Sequence, residues 1–404
     1  MATPRFGCRK RAYRGMQKRD YAFRQERGNA AELHMGQRTT LNTLRRLEIH
    51  PRPWVQRVVA ETVLRPNYSF LPGVDIRVEG WDHLPQEPVI FAMNHTDRYN
   101  YWPFQFALRR EYGRYTMTWS KAKNYQNPLT ARFLAAANVI PVISKGYLIV
   151  ADCLFVTGAR PSDAAYRHLR DRIDGRLDSD AAPVADGPAQ EASAVVGKPE
   201  TNRSGVDIGG SRREPLAEEA DLAKEFFATP RDPFEIGQVM QGGPDGYVAY
   251  MQGAYERMMA EVRRLHQQAQ AAGLDVLVFP QGTRSLKLSQ GQAGFGQLAL
   301  SMDYPVIPVG CSGSDKLYPG TSPFAKPGRV TYRLGPPVEA EVVARYVPTE
   351  PYTPFTINAE RRYRENFLGF SQTVLERVDT LLDPDYRFSE DRRSTGVSGT
   401  SRFV

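Results

Sequence analysis

The sequence predicts an α/β fold: a mixed or mostly parallel sheet flanked by helices, with extra helices at the N-terminus and a disordered insertion. Three observations predict it. Wholly apolar runs such as Pro88–Met93 and Leu274–Phe279 read as strands buried on both faces. Such runs alternate with stretches of helical periodicity, the pattern of a layered α/β sheet. The apolar residues are 41% of the 404 and the charged ones 24%, which supports a sizeable core and excludes a wholly disordered chain.

Each element has its own local reason. Residues 1–28 form a basic arm expected to be disordered, and 29–70 are expected to be helical because Leu41, Leu44, Leu47, Trp54, Val58, Val59 and Val63 recur at helix-like spacing. An α/β domain is expected over 71–345. In it Val74–Val78 alternates like a half-buried strand and Pro88–Met93 is a central strand. A helix is expected from about Asp97 to Tyr112, then a strand at Tyr115–Trp119, a helix at Pro128–Ala137 and a strand at Val139–Ile143. From about 178 to 234 the composition turns to Ala, Gly, Pro, Ser, Asp and Glu. Such a stretch cannot bury enough surface to offset its ordering entropy, so 178–215 is expected to be flexible, with a short helix at 216–227. An amphipathic helix follows, with Val248, Met251, Tyr255, Met258, Met259, Val262 and Leu265 on one face. Strand Leu274–Phe279, helix Gly291–Met302 and strands at Val306–Val309 and Val330–Leu334 complete the domain. A C-terminal helix within 346–383 carries Phe367, Phe370, Val374, Val378 and Leu381, and 384–404 is expected to be a loose tail.

Charge and cysteine usage narrow the function. The net charge is +8, but residues 1–28 hold nine Lys/Arg against Asp20 and Glu26, so +7 of it lies in the arm. The arm suits an anionic membrane surface; a nucleic-acid role would rest on the arm alone and is set aside. No run of 18 apolar residues is present, so a membrane role would be peripheral, from the cytoplasmic side. Cys8, Cys153 and Cys311 are sparse and odd in number, which fits a reducing compartment. No metal-spaced His/Cys cluster, GxGxxG or phosphate loop occurs. Gly310-Cys-Ser312-Gly-Ser314 approaches a hydrolase nucleophile elbow, but no histidine follows it.

Two segments place polar residues directly after buried strands, where α/β sheets expose functional groups. One runs Asn94-His95-Thr96-Asp97-Arg98-Tyr99-Asn100 after Val89–Met93. There His95 can serve as a base, with a partner on Nδ1 fixing the tautomer. The other is Phe279-Pro280-Gln281-Gly282-Thr283-Arg284-Ser285 after Val276–Val278. A tight turn with an arginine suits an oxyanion. Alone, most histidines beside a strand end simply make hydrogen bonds, and the second turn is equally compatible with a structural corner.

Taken together, the two segments resemble the signatures of the glycerolipid acyltransferases, NHx4D and FPEGTRS, and Val-Ile-Pro-Val occurs at 139–142 and 306–309 much as in that family. The resemblance covers roughly 75–176 and 245–340. It implies an acyl group transferred from acyl-CoA or acyl carrier protein to the hydroxyl of a lysolipid or glycerol-phosphate acceptor. It implies no resident cofactor or metal. His95 would be the base, Gln281, Gly282, Thr283 and Arg284 would bind the acceptor, and Lys145 stands near the family's middle basic residue.

The chain departs from the family at both acids: Asn100 replaces Asp and Gln281 replaces Glu. An amide orients a histidine but does not stabilise the imidazolium; the corresponding change in a serine protease costs about 10⁴ in rate. Asp97 is one candidate to supply the missing charge. The alternative is a catalytically silent relative that binds acyl lipid or a partner.

Overall fold

The computed structural model describes residues 38–70, 72–175 and 226–394. The basic arm, the expected insertion at 178–215, most of the expected helix at 216–227 and the last ten residues lie outside the described residues.

The chain opens with α1 (Leu41–Arg45), capped by Thr40, and α2 (Trp54–Val59), which passes through a π turn at Ala60–Leu64 into α3 (Arg65–Ser69). The helices are separated at 46–53, where Pro51 and Pro53 cannot donate backbone hydrogen bonds. Then come β1 (Val74–Glu79), β2 (Ile90–Met93), α4 (Trp102–Tyr112), β3 (Thr116–Lys121), α5 (Pro128–Ala136), β4 (Val139–Val142), α6 (Lys145–Thr157) and α7 (Asp163–Ile173). After the undescribed segment the chain runs through α8 (Gly243–Ala271), β5 (Asp275–Val278), α9 (Ala293–Ala299), β6 (Val306–Ser312), α10 (Ser314–Leu317) and β7 (Gly328–Leu334). It ends with α11 (Ala340–Ala344), α12 (Ile357–Arg362) and α13 (Arg364–Thr380).

The seven strands form one sheet in the order β1-β7-β6-β2-β5-β3-β4. Every pairing is parallel except β6 with β7, so the sheet is mixed and mostly parallel, as expected. Its central strands alternate between two apolar layers. Ile90, Ala92, Val276, Val278 and Val306 face a core that includes α8 and Phe370 and Val374 of α13. Val89, Phe91, Met93, Leu277, Ile307 and Val309 face a second core with Phe104 and Tyr332. Both faces are covered, which explains why these strands read as continuous apolar runs. Met251, Tyr255, Met258, Met259, Val262 and Leu265 of α8 are all buried, as their spacing predicts.

Buried ion pairs fix the layers laterally. Asp275, at the start of β5, accepts from Arg114 Nε at 2.8 Å and from the Val89 backbone N–H at 2.9 Å, tying the entrances of β5 and β2 together. Where the chain re-enters the described structure, the Arg231 guanidinium grips Asp152 of α6 with two bonds of 2.7 Å. The segment from Pro384, expected to be loose, is anchored at Tyr386. The Tyr386 ring is buried, its hydroxyl donates to Asp315 at 2.7 Å, and its carbonyl accepts from Leu288 N–H.

Candidate active site

β2 and β5 are neighbours in the sheet, with Ala92 opposite Val278. Their carboxyl ends therefore deliver both polar segments to the same place. The turn after β5 tightens through Gly282, whose φ is +67° and whose N–H donates to the Phe279 carbonyl. A side chain at 282 would be strained in that conformation and would crowd Gln292.

The two turns are bonded to each other through backbone and side chain. The Gln281 Oε1 accepts the His95 N–H at 3.0 Å, and Gln281 Nε2 donates to Ser289 Oγ at 3.1 Å. The Ser285 N–H donates to the His95 carbonyl at 2.8 Å. Asn94 bonds the Cys311 backbone through both its amide atoms, at 2.7 and 2.9 Å, which fixes β2 to β6.

The His95 ring lies flat against Phe279, centroids 3.9 Å apart and planes 13° from parallel. Its Nδ1 is 2.9 Å from Asn100 Oδ1. Asn100 is fully buried, and its Nδ2 donates to the Asn94 carbonyl at 2.8 Å. That bond sets the amide's orientation: the nitrogen must face the carbonyl, so the oxygen must face the imidazole. An oxygen acceptor requires a proton on Nδ1, and the network therefore leaves the Nε2 lone pair available. The imidazole pKa is lowered to about 3, chiefly by burial and with help from the charges of Arg284 and Lys121, against the raising effect of the Asn100 bond. The ring is thus a neutral acceptor of protons across the working range.

The helix expected from Asp97 starts only at Trp102. Asp97 accepts the Tyr99 N–H at 2.8 Å and the Thr96 hydroxyl at 2.9 Å, and such local side-chain bonds compete with helix formation. Asn100 reaches His95 through this irregular turn, not through a helical one. The same bonds correct the reading of Asp97 as a charge partner of His95: its carboxylate is held by Tyr99, Thr96 and Ser314, and burial pushes its pKa up. Lys145 is a second correction. It follows β4, three strands from β2, and is buried in ion pairs with Asp174 at 2.8 Å and Glu360 at 3.0 Å. There it ties α6, the end of α7 and α12 together.

The cations near His95 come from elsewhere. Arg284 and Lys121 act on the imidazole, Arg98 acts on Arg284, and Lys123 is repelled by Arg160 and Arg284. Lys121 and Lys123 were missed in the sequence. Lys121 ends the third strand and Lys123 lies in the turn after it, and the strand-end rule applied to Trp119-Ser-Lys121-Ala-Lys123 would have found them. Chemically, the arrangement offers a neutral imidazole acceptor beside several cations suited to an anionic ligand. Among the described residues no group of His, Cys, Asp and Glu could hold a metal ion.

A model of the Acyltransferase family matches residues 246–312, from α8 through the Phe279–Ser285 turn to the end of β6. No curated protein sequence matches the chain. Among solved structures, the chain is similar to the 1-acyl-sn-glycerophosphate (LPA) acyltransferase PlsC from Thermotoga maritima. The two are 13% identical, 80% of each chain is covered, and the TM-score is 0.31. The matched segment includes the Gln281–Arg284 turn.

Proposed function

We propose that this protein transfers an acyl group from a thioester, acyl-CoA or acyl carrier protein, to the hydroxyl of a lysolipid or glycerol-phosphate acceptor. The observation that carries this reading is the Asn94–Asn100–His95 chain. It leaves Nε2 as the free nitrogen of a neutral imidazole at the same strand ends as the Gln281–Arg284 turn. In the reaction His95 Nε2 takes the hydroxyl proton as the acceptor oxygen attacks the thioester carbonyl. The C–S bond breaks as the tetrahedral adduct collapses, and the imidazolium returns the proton to the leaving thiolate. Arg284, with Arg98, Lys121 and Lys123, would hold the anionic groups of acceptor or donor. Gln281 fixes the His95 backbone and acts as a positioning residue.

The test is acyl transfer by the purified protein from radiolabelled acyl-CoA to a panel of lysolipids, beside His95→Ala. Transfer that survives His95→Ala undiminished rejects the base. A second reading, a silent relative that binds acyl lipid, is favoured by one observation: the group holding His95 is an amide without charge. Acyl-CoA binding without turnover, in the wild type and in Asn100→Asp alike, would select it.

A further inference from the structure

We infer that the C-terminal segment Tyr386–Arg392 is a strap that positions the candidate site, and that Ser289 is the positioning residue through which it acts. The catalytic consequence rests on the acyl-transfer reading above; the mechanical one is measurable without turnover.

The turn that carries Arg284 runs on into a loop at 285–292 whose ends are both tied to the site. The Ser285 N–H donates to the His95 carbonyl at 2.8 Å, and the Gln292 N–H donates to the Pro280 carbonyl at 2.9 Å. Between these ends Ser289 is buried, and its hydroxyl accepts from Gln281 Nε2 at 3.1 Å. The oxygen of that same amide accepts the His95 N–H. With its oxygen committed to His95, the Gln281 amide turns its nitrogen the other way, and a buried NH₂ group needs an acceptor. Ser289 supplies it.

What holds Ser289 in place comes from the far end of the chain. The residues on either side of it give their backbone N–H groups to the C-terminal segment: Leu288 to the Tyr386 carbonyl at 2.9 Å and Gln290 to the Arg392 carbonyl at 3.1 Å. Bonds that flank one residue fix its backbone and with it the direction of its side chain. The Leu288 side chain is buried with Leu375, Val378, Leu382 and Tyr386, which seats the first of these ties. The segment has anchors of its own. The Tyr386 hydroxyl donates to Asp315 at 2.7 Å and the Phe388 N–H donates to Asp379 at 2.8 Å. Arg392 has φ +52°, a region that non-glycine residues seldom adopt, in a turn where its N–H donates to the Ser389 carbonyl at 2.9 Å. That turn delivers the Arg392 carbonyl to Gln290, and such strain persists only where surrounding bonds over-determine it. A continuous route of hydrogen bonds therefore leads from the tail through Ser289 and Gln281 to the backbone of the candidate base.

The experiment uses the full chain and a matched pair of variants at Arg392, which is exposed, so neither disturbs the core. Proline cannot take φ +52° and lacks the N–H given to Ser389, so Arg392→Pro releases the strap; glycine takes that φ freely, so Arg392→Gly keeps it. Tyr386→Ala releases the other tie. Amide hydrogen exchange is followed by mass spectrometry, with acyl-transfer kinetics alongside. Arg392→Pro and Tyr386→Ala should each speed exchange by about tenfold or more at 94–100 as well as at 281–292, with β1 and α8 unchanged and Arg392→Gly like wild type. Arg392→Pro and Ser289→Ala should each lower kcat by about tenfold to a hundredfold, the scale of a misplacement of about 1 Å. Combining them should cost no more than the larger single loss, because both break one route. Exchange at 94–100 that stays at the wild-type rate in both strap variants would overturn the inference, since the tail would then brace only its own loop. Additive losses of kcat, or exchange that rises evenly over the whole chain, would overturn it too. Wild-type protein that transfers nothing rejects the acyl-transfer reading, and the exchange at 94–100 then decides the strap by itself.

Discussion

Replacing Asn100 by Asp puts a carboxylate where the candidate base now meets an amide, and the surroundings set the size of both consequences. Asn100 is fully buried and its Nδ2 gives the Asn94 carbonyl its hydrogen bond at 2.8 Å. A carboxylate oxygen there faces another oxygen, so the variant loses a bond and leaves a buried acceptor unmet, costing about 1–3 kcal/mol of stability. The other carboxylate oxygen sits where Oδ1 is now, 2.9 Å from Nδ1. A negative charge at that distance raises an imidazole pKa by about 1–3 units. From its present value of about 3, that brings His95 to about 4–6. A base works in its neutral form, so activity is lost as pH falls through the folded pKa. The acid limb of kcat/KM should therefore move up by the same amount. The rate near pH 7 should rise by about tenfold or more, bounded by the roughly 10⁴ such a carboxylate contributes elsewhere. The assay is acyl transfer against pH with thermal unfolding alongside. A lower melting temperature with an unmoved acid limb and an unimproved rate would refute the assignment of His95 as the base.

Three further outcomes follow from the same geometry. Arg284→Ala should raise KM for an anionic acceptor by about tenfold while kcat changes little, because the charge serves binding; a kcat defect at unchanged KM would place Arg284 in the chemistry instead. Asp97→Asn should leave transfer close to wild type while lowering the melting temperature, since Asp97 bonds Tyr99 N–H and Thr96; abolished turnover would restore Asp97 as the charge partner. His266 is buried with Nδ1 bonded to the Val262 carbonyl and Nε2 accepting the Trp119 indole N–H at 2.8 Å, and burial lowers its pKa to about 4. The unfolded chain takes up a proton below about 6.5 that the folded imidazole refuses. Stability should therefore fall between about pH 6.5 and 4, by up to about 1.4 kcal/mol per unit from this residue. His266→Gln should flatten that slope in denaturant titrations at pH 7 and 5, and an identical slope in the variant would dismiss the residue.

The irregular turn at 94–101 explains why the candidate site was only partly legible. An imidazole at the end of an apolar strand and a Pro-x-Gly turn after another are local patterns, and both were read from the chain. Which neighbour would hold Nδ1 depended on a competition between Asp97 and Asn100. Asp97 bonds its own backbone two residues on, so the uncharged Asn100 was left to reach the ring.

The sequence by itself determined the strands, their burial, the amphipathic face of α8 and the two turn motifs, because these depend on residues a few positions apart. Apolar runs and period are properties of the chain alone. The tertiary structure decided the strand order, which sets β2 beside β5 and so joins His95 to Gln281 across 186 positions. It also decided which cations surround the imidazole. Lys145 went to Asp174 and Glu360, beyond the edge strand, while Lys121 at the end of β3 came within electrostatic reach of His95. Electrostatic pairing acts through space at distances of a few ångströms, and no spacing along the chain encodes which strands will lie side by side.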